Sequence, residues 1–173
     1  MELGLLLQQS AVEHLTRFRQ LEARDFGSVA TIVTADFEAL YAYKRGDYQQ
    51  CLQLSTKNVL TLLCAANVSD VYVFPEFIQL FDDDIVSLTA PTLTVDSTCR
   101  LTNGNYVTIT QLILSLYLMT QCQLKLRHSV MSLAQTLYYI KITHRRQPVS
   151  HTLDRLTLKM IAQKSQTYMR TKS

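Results

Sequence analysis

The sequence predicts an all-α protein of antiparallel helical hairpins, arranged as an irregular α-solenoid or a compact helical bundle. Three observations carry this. Glycine and proline are scarce, 4 and 3 in 173 residues, so turns are few and elements are long. Apolar residues recur at steps of three and four along most of the chain. One tight turn, Gly46-Asp47, separates two such periodic runs and folds the second back on the first. A hydrophobic share of 47% against 18% charged residues is enough to bury a core in a chain of this length. The chain reads as one helical domain: hairpins over 1–66, an irregular connection with short helices over 67–105, and C-terminal helices over 106–173.

The elements follow in order. Ser10-Ala11-Val12-Glu13 spells a capping box, and a helix runs from it to about Arg24 with Ala11, Leu15 and Phe18 on one face. Val29, Ile32, Val33, Phe37, Leu40 and Tyr41 give a second helix over about 28–44. The β-branched run Val29–Thr34 suits a strand locally, but the longer helical period decides. Gly46 stops that helix, and Lys44 and Arg45 place cations in its last turn, where they complement the dipole. Asp47 is the N-cap of a third helix, on which Tyr48, Cys51, Leu52, Ser55, Val59, Leu62 and Leu63 share a face to about Ala66.

The middle of the chain is less regular. Val71–Phe74 is strand-like, and Pro75 suits the first position of a helix carrying Phe77, Ile78 and Phe81. Asp82, Asp83 and Asp84 form an acidic first turn before Ile85–Leu88, and Pro91 is expected to end that piece. Asn103-Gly104-Asn105 marks a turn. Thr108 and Gln111 offer a second capping box, opening a helix to about Gln123 that is apolar nearly all round. Such a helix belongs at the centre of the packing. Leu126, Val130, Leu133, Leu137 and Ile140 form the clearest stripe, on a helix over about 125–144. Pro148 breaks the chain before a last amphipathic helix over about 151–169.

The segment from Leu40 to Leu52 resembles a tetratricopeptide repeat. Ala39 and Ala42 occupy its small positions on the first helix, Gly46 its turn, Tyr48 its large residue and Cys51 its next small one. The resemblance covers about residues 35–66. The chain departs from the pattern at Ala35, Ser55 and Asn58 and shows no second copy, so a regular array is not expected. What the resemblance implies is a non-catalytic scaffold or adaptor that binds a protein or peptide. The candidate surface is the groove beside the hairpin, with Tyr41, Lys44, Arg45, Tyr48 and Gln49; Tyr48 also suits packing alone. A single unit cannot cover its own face, so other helices must flank it. Neither end carries the signature of a cap, which fits a piece of a larger protein.

Charge is uneven. Residues 1–140 balance to −4 and residues 141–173 to +7. Tyr138, Lys141, His144, Arg145 and Arg146 make the tightest cationic and aromatic cluster, the residue types that stack bases and hold phosphate. A nucleic-acid-binding module over 138–172 is therefore the alternative function. The competing reading is a cation-rich helix end. Cys51, Cys64, Cys99 and Cys122 lack disulfide or zinc spacing, and Cys51, Cys64 and Cys122 read as small buried apolar residues in a reducing, cytoplasmic setting. Neither a secretory signal nor a membrane span is expected, since the apolar runs are short or interrupted by polar residues. His14, His128, His144 and His151 are scattered, and the three aspartates lack the alternation of a metal loop. No phosphate loop, nucleophile elbow or zincin motif occurs, so neither catalysis nor a metal or other cofactor is expected.

Overall fold

A computed structural model of the chain describes residues 29–64, 72–73, 83–95, 109–146 and 152–172. Among these residues the fold is all-α. Six helices occur: α1 (Val29–Lys44), α2 (Tyr48–Cys64), α3 (Asp83–Val95), α4 (Gln111–Lys125), α5 (Val130–Arg146) and α6 (Thr152–Lys172). The helix expected over 11–24, the helix opened by Pro75 and the turn at Asn103-Gly104-Asn105 lie outside the described residues.

The α1–α2 hairpin forms for the reasons its sequence gives. Gly46 adopts φ +80°. Its N–H donates to the Tyr43 carbonyl at 3.0 Å, and the Asp47 N–H donates to the Ala42 carbonyl at 2.9 Å, closing the last turn of α1. Asp47 then caps α2, its Oδ1 accepting the Gln50 N–H at 3.1 Å. Open space surrounds the Gly46 Cα, so a methyl group would meet no neighbour. The positive φ still disfavours any side chain there. Gly46→Ala is expected to lower stability by about 1 kcal/mol in a denaturant melt, purely through backbone strain.

α4 is the centre. Every residue from Ile113 to Gln123 is buried, and the helix packs against α1, α2, α5 and α6. This is the position its all-round apolarity predicts. Four of its buried polar side chains find partners, whereas Gln111 Oε1, at its first residue, has none among the described residues. Ser115 donates to Asp36 of α1 at 2.5 Å. Thr120 donates back to the Leu116 carbonyl at 2.7 Å. Gln121 donates to Asp84 of α3 at 3.1 Å. Gln123 accepts from Thr136 of α5 at 2.8 Å. At its start, the Thr110 N–H donates to Asp154 of α6 at 3.0 Å. The central helix thus holds a distinct polar contact to four of the surrounding helices, and a shift of register in any of them leaves a buried group unpaired.

Four expectations need correction. Pro91 does not end α3, which continues to Val95. The ring is tolerated near the helix end on an exposed position, and the Thr92 hydroxyl donates to the Leu88 carbonyl at 2.7 Å beside the missing N–H. The helix expected from 106 starts at Gln111, because Ile109 and Thr110 pair antiparallel with Val73 and Tyr72. Its N-cap is Thr110, with no side-chain cap bond, in place of the expected Thr108. Cys64 is exposed at the end of α2, unlike Cys51 and Cys122, which are buried; Cys99 lies outside the described residues.

The boundary between α4 and α5 was also misplaced, and it lacks the glycine that usually marks one. The His128 N–H donates to the Gln123 carbonyl at 2.9 Å and the Arg127 N–H to the Leu124 carbonyl at 3.2 Å. This is the closure seen at Gly46, but Arg127 carries the positive φ, +53°. Ser129 then caps α5, its Oγ accepting the Ser132 N–H at 3.3 Å. Arg127→Gly is expected to raise stability by about 0.5–1 kcal/mol, relief of the strained φ outweighing the added chain entropy. An unchanged or lower denaturation midpoint contradicts that assignment.

Candidate functional site

The hairpin surface brings together only part of its expected set. Tyr41 and Arg45 lie one turn apart, so the Arg45 guanidinium sits over the Tyr41 ring, 5.5 Å from its centroid, and reaches its hydroxyl at 3.4 Å. Lys44 and Gln49 are exposed. Tyr48 turns the other way. It is half-buried against the core and meets the Tyr43 ring edge-on at 5.6 Å. This packing role is the one its sequence position also suits. Ala39, Ala42 and Cys51 are buried, which brings the two helix backbones close.

Beneath this surface lies a group that the periodicity gave no reason to single out. Asp36 of α1 is 2% exposed. Its Oδ1 accepts from Asn58 Nδ2 of α2 at 2.8 Å and from the Ser115 hydroxyl of α4 at 2.5 Å. Its Oδ2 has no hydrogen-bond partner among the described residues. Burial pushes the carboxyl up from its ordinary 3.8 to about 7, against the pull of the Ser115 and Asn58 bonds. The Asn58 departure from the repeat pattern is thereby explained: an alanine there would leave the carboxylate short of a donor. A polar residue at a core position of a periodic run was the available signal.

Two buried thiols, Cys51 of α2 and Cys122 of α4, lie close to each other. The proximity of Cys51, with burial, pushes the Cys122 thiol well above its ordinary range. Such a thiol is a poor nucleophile. Beside Cys122 on α4, Gln121 donates to Asp84, which also accepts from Lys164 and so ties α3 to α6. An open, largely apolar groove of about 600 Å³ runs beside it, lined by Leu124, Met160, Thr167 and Tyr168 among others. Among the described residues no cluster of three His, Cys, Asp or Glu could hold a metal ion. Nor is any described helix long and apolar enough to cross a membrane.

The second expected set stands on α5. Tyr138 is 61% exposed, and Lys141, His144 and Arg145 are exposed beyond it. Tyr139 is half-buried, its hydroxyl accepting from Gln135 at 2.7 Å. Arg146 ends the helix, and its side chain lies outside the described residues. Val130, expected in the core stripe, is exposed, whereas Leu133 and Ile140 are buried. His128 sits half-buried in the α4–α5 turn; His14 and His151 fall outside the described residues. Comparison of the chain with known protein families, with curated proteins and with solved structures gave no match.

Proposed function

We propose that the protein is a non-catalytic interaction scaffold, a tetratricopeptide-like helical hairpin buttressed by further helices, which takes a protein or peptide partner on its α1–α2 surface. The observation that carries this reading is the hairpin itself, with small buried residues at the crossing and cations beside an aromatic at the turn. The hairpin's inner face is covered by α4, which leaves the outer face, with Tyr41, Lys44, Arg45 and Gln49, for a partner. Lys44 and Arg45 favour acidic groups in that partner.

Affinity capture with the full chain, set beside the Lys44→Glu/Arg45→Glu double variant, tests it. Both variant side chains are exposed, so the fold should persist, as checked by circular dichroism. A specific partner retained by the parent chain and lost by the variant is expected. Identical capture by the two folded proteins would overturn the reading.

A further inference from the structure

The outer face of α5 has a composition that core packing does not explain. Met131, Tyr138 and Arg145 recur every seven residues and so stand in one row, with Lys141 one turn beyond Tyr138. Met131 is 79% exposed and Tyr138 61%. From Gln111 to Lys172 the chain carries ten Lys and Arg but one acid, Asp154. That acid is buried and bonded to the Thr110 N–H, so it offers no negative charge to the surface. Among the described residues, Lys141 and Arg145 have no carboxylate within ion-pair reach. A helix C-terminus favours cations and accounts for Arg145. It accounts neither for the exposed tyrosine nor for three helices without an exposed acid.

We propose that this face binds single-stranded nucleic acid, with a base stacked on Tyr138 and phosphates held by Lys141 and Arg145. Tyr138 to Arg145 spans roughly 10 Å of helix axis, a length that places both cations beside a strand whose base rests on the ring. Two isolated apolar side chains do not make the buried core that a stable protein interface needs. A nucleic-acid strand needs only cations along its backbone and a flat ring for a base. Tyr139, fixed by Gln135 and tilted 51° to Tyr138 at 6.3 Å, props the outer ring on its inner side. This second surface lies apart from the hairpin surface and does not depend on the scaffold reading.

The test is fluorescence anisotropy of the full chain with a labelled oligouridylate of roughly 20 nucleotides, between about 50 and 200 mM salt. Binding is expected at the low end and should weaken steeply as salt rises. Lys141→Gln/Arg145→Gln should make the slope of log affinity against log salt shallower by about 1.4, roughly 0.7 for each lost phosphate contact. Tyr138→Ala should weaken binding roughly 5- to 150-fold, while Tyr138→Phe keeps it. All three positions are exposed, so the variants should hold the parent helical content. No binding at the low salt, an unchanged slope in the double variant, or a Tyr138→Ala variant that binds like the parent overturns the proposal. So does tighter binding to polyglutamate or to phosphatidylserine vesicles than to the oligonucleotide.

Discussion

Stability of this protein is expected to carry a component that falls as pH rises from about 4 to about 7, and Asp36→Asn should abolish that component. The folded carboxyl keeps its proton up to about 7, whereas an unfolded one releases it near 3.8. Between those values the folded state binds more protons than the unfolded state, so raising the pH favours unfolding. Below about 4 both states are protonated and the contribution is fully present; above about 7 it is lost. A shift of that size corresponds to on the order of 4 kcal/mol. The asparagine variant keeps an oxygen to accept from Asn58 and Ser115 but has nothing to ionise. The difference in unfolding free energy, variant minus parent, should therefore grow in the variant's favour by that order between pH 4 and pH 8. Using the difference removes the contributions of the other carboxylates. Parallel pH profiles would show that Asp36 is not held neutral in the fold.

The second large effect lies one turn further along the hub. Leu118 is fully buried on α4, the helix against which α1, α2, α5 and α6 all pack. Truncating it removes apolar contacts on a helix enclosed on several sides, where the surroundings cannot collapse freely into the space. Leu118→Ala is expected to cost 2–5 kcal/mol. Met131→Ala, on the exposed flank of α5, serves as the control and should change stability by less than about 0.5 kcal/mol. Comparable losses at the two positions would contradict the central placement of α4.

How far the sequence spoke depended on the kind of signal. Periodicity placed α1, α2 and α6, and the end of α5, to within a few residues, because an amphipathic helix records its buried face in its spacing. The hub was legible for the opposite reason: a helix without a polar face has nowhere to lie but inside. Gly46 and Asp47 announced their turn, since their backbone and capping roles are local. Where the outcome rested on partners distant in sequence, the reading failed. The start of α4 moved to residue 111 because a two-residue ladder to Tyr72 and Val73 claims Ile109 and Thr110. Pro91 stayed inside α3 at an exposed position near the helix end. The Arg127 turn has no small residue to betray it.

The site followed the same division. Tyr41 and Arg45 meet because they are four residues apart on one helix, a relation the sequence states directly. Tyr48 belongs to the packing because Tyr43, across the turn, faces it. The junction of Asp36, Asn58 and Ser115 joins three helices across 22 and 79 residues of chain, and no local pattern reports such a meeting. Its only trace was polar residues standing where a repeat wants apolar ones.

Gathering the packing around one helix has a consequence for how the chain can be divided. α1 and α2 cover α4 directly, yet more than forty residues of sequence separate α2 from α4. A cut in the connection after Cys64 would strip the first piece of the surface it covers and leave the second with an uncapped apolar flank. The two pieces should each be disordered or aggregate alone and regain helical structure on mixing, as an obligate complementing pair.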